Sequence, residues 1–254
     1  MVYFVASDIH GYYSQFKQSL AEAGFDFDNE DHKIILCGDA FDRGSEASKL
    51  VDYLVRLYDK GKLIYIRGNH EDLLLDCLHQ LKCRVNISQH HWTNKTLNTI
   101  AQLTGIDEYS LACGCYNYEK DIEPKMQKCL DLIAKSINYY QDGDYIFVHG
   151  WLPSCEIINK DNYQKLLDTA SIENWEIARW LNGMEEWHNK NTIQDKTIVC
   201  GHWHCSYGNS RFHGEGEEDF SEDANFNPFI DNGIIALDSC VAYSNKINVV
   251  KITV

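Results

Sequence analysis

Short apolar runs recur along the chain: "VYFVAS", "KIILCG", "LIYIRG", "DYIFVHG", "KTIVCG", "GIIALD" and "KINVVKITV". They carry almost no polar alternation and are bounded by glycine or turn residues, which is how strands covered on both faces read. Between the first of them the apolar positions recur at three and four, as in "YSQFKQSLAEAG" and "EASKLVDYLVRLYDKG". These segments predict helices that stop at Gly24 and Gly61, the glycines acting as C-terminal caps. Strand and helix alternate through the first 70 residues, so the expected class is α/β, built from right-handed βαβ units. From Glu71 to about Leu132 the pattern turns helical with no clear strand. A helical excursion that can serve as a lid is expected there.

The polar residues that end the strands change the picture. The first run ends on "SDIHG", the second on "GDAFDRG", the third on "GNHED", the fourth on "HGW" and the fifth on "GHWH". In open α/β sheets ligands bind outside the carboxyl ends of the strands. Asp8, His10, Asp39, Asp42, Arg43, Asn69, His70, Glu71, His149, His202 and His204 are therefore expected on one rim. So many buried charges require a cation. Carboxylate, imidazole and carboxamide donors together suit manganese, iron or zinc, and the lack of cysteine in the set argues against a structural zinc site. Asp8 and His10 are two apart, so on an extended strand end they point to the same side. Asp39 has two oxygens and can bridge two ions.

Composition narrows the partners. At 254 residues one sizeable domain is expected, and the formal net charge of −15, from 23 basic and 38 acidic side chains, repels nucleic acid. The acid run Glu215 to Asp223 reads as a solvated loop. The amino terminus lacks a basic region ahead of its apolar run, and no stretch approaches the roughly 20 apolar residues that span a bilayer. A cytoplasmic protein with no membrane partner is expected, its ten scattered cysteines reduced.

In their order, "DIHG", "GDAFDRG", "GNHE", "HGW" and "GHWH", spread over residues 8 to 204, resemble the metallophosphoesterase superfamily. The branch they most resemble is the phosphoprotein phosphatases, serine/threonine phosphatase-like enzymes of bacterial or phage type. The resemblance implies the calcineurin-like fold: two packed mixed β-sheets flanked by helices, four layers in all. It implies a single domain over 1–254, with a helical insertion at about 72–135. It also implies two divalent ions, manganese first, with iron or zinc also suited. Asp8, His10 and Asp39 are implied as ligands of one, and Asp39, Asn69, His149 and His202 as ligands of the other. In "GHWH" the second histidine follows the wider superfamily, which assigns His204 to the first ion. His70 is implied as the general acid, oriented by Asp42, and a histidine suits that task near neutral pH. Arg43 is implied as a phosphate-gripping fork, alongside Asn69, and Glu71 as a residue that orients a neighbour.

Some positions stay open at this stage. Arg179 in "WEIARWLNG" is either a second phosphate-binding arginine, as the resemblance suggests, or a packing residue stacked on Trp175 or Trp180. His90 and His91, beside Trp92, are candidates for lining a substrate lid. The family's "HGG" is here "HGW", so Trp151 is expected to crowd the site wall. Asp238 is either a neighbour of the ligands or an ordinary strand-end aspartate. The expected activity is hydrolysis of phosphomonoesters, such as phosphoserine or phosphothreonine proteins, by a metal-bridging hydroxide. A dinucleoside tetraphosphatase or small-molecule phosphatase is the alternative. A third reading is an inactive module that binds metal or phosphopeptide, against which the presence of Asp42, Arg43 and His70 speaks. No oligomeric state is implied.

Overall fold

The computed structural model describes residues 1–153, 163–218 and 220–254, so that Cys155 and Asp219 lie outside the described residues. The strands are β1 Val2–Ala6, β2 His32–Cys37, β3 Leu63–Ile66, β4 Tyr140–Asp142, β5 Tyr145–Phe147, β6 Thr197–Cys200, β7 Phe229–Asp231, β8 Ile234–Ala236 and β9 Val250–Thr253. They form two mixed sheets, ordered β3-β2-β1-β9 and β4-β5-β6-β8-β7. In the first, β1, β2 and β3 run parallel and β9 returns antiparallel beside β1. In the second, β5, β6 and β8 run parallel, with β4 and β7 antiparallel at the edges. All seven apolar runs contain a strand. The three-residue edges β4 and β7 carry too little apolar pattern to have been expected.

Alternation along each strand divides the interior. Tyr3, Val5, Ile35, Cys37 and Ile66 of the first sheet meet Phe147, Val199, Ile235 and Leu237 of the second in one buried layer. The intervening residues Phe4, Ala6, Ile34 and Leu36 face helices on the outer side of the first sheet, and Ile146, Val148, Ile198 and Cys200 do the same on the second. Both faces of both sheets are therefore covered, which is why the runs are continuously apolar instead of alternating. The nine cysteines among the described residues are free thiols.

The helices are α1 Tyr13–Glu22, α2 Ala47–Asp59, α3 Asn69–Cys83, α4 Gln89–Thr93, α5 Thr96–Thr104, α6 Glu108–Ala112, α7 Glu123–Ala134, α8 Tyr163–Thr169, α9 Ile172–Ala178, α10 Gly183–His188, α11 Cys205–His213 and α12 Val241–Ser244. A π-helical turn, Tyr118–Ile122, leads into α7. The helical excursion is well integrated. Leu74, Leu78, Leu97, Ile100, Met126 and Ile133 share one core with Phe4 and Leu36, so these helices form the outer layer of the first sheet. Their border with the rim comes from the first turn of α3, which carries Asn69 and His70, and from α4 and α5.

Candidate metal centre and active site

The five polar strand ends meet where the two sheets join. The loop after β1 is zipped to the loop after β2: Asp8 N–H donates to the Gly38 carbonyl at 3.1 Å, His10 N–H to Asp39 at 3.0 Å and Gly11 N–H to Ala40 at 2.7 Å. The second sheet is tied on by Gly201 N–H to the His149 carbonyl at 2.7 Å and by His202 N–H to Asp8 Oδ2 at 3.0 Å. Gly201 must be glycine, because a Cβ there would lie 2.2 Å from Asp8 Oδ2.

Backbone strain concentrates at this rim. Asp8, His10, Asp39, Asp42, Arg43 and His202 all have positive φ, between 49° and 74°. Non-glycine residues in that region cost about 1–3 kcal/mol each and persist where the surroundings over-determine them. The expectation that Asp8 and His10 share a side through an extended strand end is therefore corrected. They converge, with Asp8 Oδ1 3.8 Å from His10 Nε2, through left-handed turns on either side of Ile9.

Two groups of donors form, and both contain Asp39. Among the described residues, His10, Asp39 and His70 offer ligand atoms within 4.8 Å of one another, and so do Asp39, His149 and His202. Asp39 Oδ2 is 3.9 Å from His10 Nε2 and 3.8 Å from His70 Nε2. Asp39 Oδ1 is 3.3 Å from His149 Nε2, which is itself 2.8 Å from Asn69 Oδ1. Asp8 Oδ1 is buried with no hydrogen-bond partner. Neighbouring oxygen or nitrogen ligands on an octahedral ion with bonds of about 2.1 Å stand about 3 Å apart. The spacing around Asn69, Asp39 and His149 fits such an ion, and the orphaned Asp8 oxygen is the buried acceptor a second cation would satisfy. Backbone carbonyls fix the imidazoles: His10 Nδ1 meets Phe41 O at 2.9 Å, His149 Nδ1 meets Cys37 O at 2.8 Å, and the main chain of Trp180 hydrogen-bonds His202. In His10 and His149 this leaves Nε2 facing the rim, the usual way a supporting carbonyl sets a ligand's tautomer.

The electrostatics describe the same crowd of charges. Burial, then Asp238, push the Asp8 carboxyl well up. Burial opposes ionisation of Asp39 as well, but His149, His70 and His10 outweigh it and hold the carboxyl well below its ordinary range. Burial works against the His149 imidazolium, yet the charge of Asp39 and its hydrogen bond raise it to about 10. Burial lowers His10, and lowers His202 to about 3. A divalent ion at the rim would supply the positive charge that these buried carboxylates call for.

Beside the first group lies a second arrangement. His70 Nδ1 donates to Asp42 Oδ2 at 2.7 Å, and Asp42 also accepts from Thr96 Oγ1 at 2.7 Å and Thr99 Oγ1 at 3.0 Å. The Asp42 N–H donates to Thr99 Oγ1 at 3.0 Å. Arg43 Nη2 stands 3.4 Å from His70 Nε2. Glu71 binds no histidine; its carboxylate accepts from the N–H groups of Asp39, Ala40 and Gly68 and from the Tyr65 hydroxyl, at 2.7–3.0 Å. It clamps the β2 and β3 loops together.

Other positions surround these groups. His204, like Asp8, lies outside the two tight donor groups; its Nδ1 meets Ser206 Oγ at 2.8 Å and its ring lies 4.9 Å from Phe220. Arg179 is buried, with Nε on Asp72 Oδ2 at 2.7 Å and Nη1 on Asn138 Oδ1 at 3.0 Å, while Arg67 takes the other Asp72 oxygen. Trp151 does not crowd the site. Its ring is buried in the outer core of the second sheet and donates to the Asn191 carbonyl at 2.9 Å, because Gly150 packs on the backbone of Ala178 and Arg179 and turns the next side chain inward. Asp238 is buried near the ligands: burial raises it to about 6, and it feels the charges of Arg43, Asp39 and His149. Sequence reasoning missed Ser7, which donates to Asp8 Oδ2 at 2.5 Å, and Thr96 and Thr99. The threonines' only signal was a spacing of three, which puts both hydroxyls on one face of α5.

The family model of the calcineurin-like phosphoesterases matches residues 1–227. The chain belongs to that family. Relatives of this phosphoesterase include the asymmetrical bis(5'-nucleosyl)-tetraphosphatase PrpE of Bacillus velezensis, 30% identical over 76 residues, or 28% of this chain and 30% of that protein. A symmetrical bis(5'-nucleosyl)-tetraphosphatase of Wigglesworthia glossinidia brevipalpis is 25% identical over 187 residues, covering 73% of this chain and 63% of that one. The chain thus spans about a third of the length of the first of these relatives and under two thirds of the second. Among solved structures, a cold-active protein-tyrosine phosphatase of a psychrophilic Shewanella shares the fold, with a TM-score of 0.53, 15% identity, and 98% and 74% of the two chains covered. A putative diadenosine tetraphosphatase does so with 0.50, 14%, and 99% and 92%.

Proposed function

We propose that this phosphoesterase is a divalent-metal-dependent hydrolase whose foremost substrates are dinucleoside tetraphosphates. The observation that carries the reading is the pair of donor groups sharing Asp39, with the His70–Asp42 pair alongside. Asp8, His10 and Asp39 would hold one ion, and Asp39, Asn69, His149 and His202 the other. Bound divalent ions polarise a phosphoryl oxygen and acidify a water molecule.

The chain's own residues supply the rest. Arg43 presents a planar fork to the phosphoryl oxygens and neutralises part of their charge. Its 3.4 Å approach to His70 Nε2 puts a phosphate gripped by Arg43 within reach of that nitrogen. The Nδ1–H donates to Asp42 Oδ2, so in the imidazolium the second proton sits on Nε2; the leaving oxygen takes it as its bond to phosphorus breaks, and the ring is left neutral with its remaining proton on Nδ1. Arg179, anchored on Asp72, holds the segment that borders His202.

The names of the relatives support reading dinucleoside tetraphosphates ahead of the phosphoserine and phosphothreonine proteins that the motif pair suggested. A turnover panel on the manganese-loaded chain tests this with diadenosine tetraphosphate, a phosphoserine peptide and p-nitrophenyl phosphate. The highest kcat/KM is expected for the tetraphosphate. A higher value for the peptide would put the protein-phosphatase reading first, and a loaded, folded chain with no turnover of any phosphoester would sink the enzymatic reading.

A further inference from the structure

The tryptophans between β5 and β6 differ in exposure. Trp151 and Trp175 are 2% and 3% exposed, both within the core, whereas Trp180 is 48% exposed. Its indole lies 5.6 Å from the ring of His202 at 87° and 6.0 Å from His90, on α4, at 45°. His90 feels the charges of His70 and Asp42, so it too stands at the rim.

The indole is held by its backbone. Trp180 N–H donates to the Ile177 carbonyl at 3.0 Å, the neighbouring Ala178 carbonyl accepts from Trp151 N–H at 2.9 Å, and Arg179 is pinned by Asp72 and Asn138. A half-exposed aromatic on so fixed a backbone, with its ring against His202 and His90, has only side-chain freedom left to lose on binding a partner.

We propose that Trp180, flanked by His90, is a stacking platform for a nucleobase of the substrate, one ring away from the metal-side histidine His202. This rests on the reading of the site as a hydrolase of nucleotide phosphoesters. A neutral π-face suits this molecule: with a formal net charge of −15 its surface repels an anionic ligand at long range, so affinity beyond the metal centre is best drawn from contacts that carry no charge. Base–aromatic stacking tolerates every base, which fits a site selecting a nucleotide over a bare phosphoester.

The test compares two ligands that cannot be hydrolysed, the methylenephosphonate analogues of AMP and of ribose 5-phosphate, titrated calorimetrically into the manganese-loaded full chain. The AMP analogue should bind about tenfold or more tighter than its baseless counterpart, the usual worth of one stacked base. Trp180→Leu should bring the ratio of the two dissociation constants close to one, and Trp180→Phe should keep most of it. Equal affinities in the wild type, or an unchanged ratio in Trp180→Leu, would overturn the platform. Because the ratio needs no turnover, its failure is distinct from that of the catalytic reading: a chain that hydrolyses diadenosine tetraphosphate without a base preference loses only the platform.

Discussion

Asp39 is common to both donor groups. One oxygen faces His149 and accepts the His70 N–H, and the other faces His10 and His70. Asp39→Asn removes the charge and one of the two acceptor oxygens, so both ions should be lost together. Metal analysis of the purified variant checks this, and full two-metal loading would refute a shared ligand. His70 has a separate task. His70→Asn should keep two metals yet slow hydrolysis of diadenosine tetraphosphate by roughly 10²–10⁴, the usual worth of a general acid. The loss should be smaller on p-nitrophenyl phosphate, whose leaving group needs little protonation. Equal losses on both substrates would place His70 in the metal shell, where its 3.8 Å approach to Asp39 also puts it in reach.

At the scale of elements, the acid's support comes from the helical excursion. Helix α5 aims Thr96 and Thr99, three apart and so on one face, at the Asp42 carboxylate. Its other buried residues, Leu97 and Ile100, pack into the core of the first sheet. Thr99→Val keeps the volume but leaves the Asp42 N–H and Oδ1 each short of a partner. A buried polar group stripped in this way costs about 1–3 kcal/mol. The variant should therefore melt lower and turn over more slowly at unchanged metal stoichiometry. An unchanged melting temperature, read by circular dichroism, would mean that water replaces the hydroxyl.

At the scale of the whole molecule, 38 acidic against 23 basic side chains oppose the approach of any phosphorylated substrate. Attraction is local to the rim, while repulsion is general and screened beyond about 10 Å at 0.1 M salt. Raising ionic strength from about 10 mM to about 150 mM should thus lower KM for diadenosine tetraphosphate with kcat little changed. A rise in KM over the same range would show that the rim's positive field reaches further than the net charge does.

The apolar runs determined the strands, and the motifs that end them determined the family and named most of the candidate donors, because a strand covered on both faces and a donor set for a cation are both local in sequence. The helix ends were equally legible: Gly24 and Gly61, at φ of 84° and 65°, close α1 and α2. Tertiary structure decided what depends on contacts between distant segments. Which strands share a sheet, the return of β9 beside β1, and the meeting of Asp8 with His202, 194 residues apart, follow from packing two sheets over one layer of side chains. The inward turn of Trp151, the anchoring of Arg179 on Asp72 and the threonine support of Asp42 are of the same kind. A side chain's partner is set by where the backbone of another element passes, and no periodicity within its own segment encodes that.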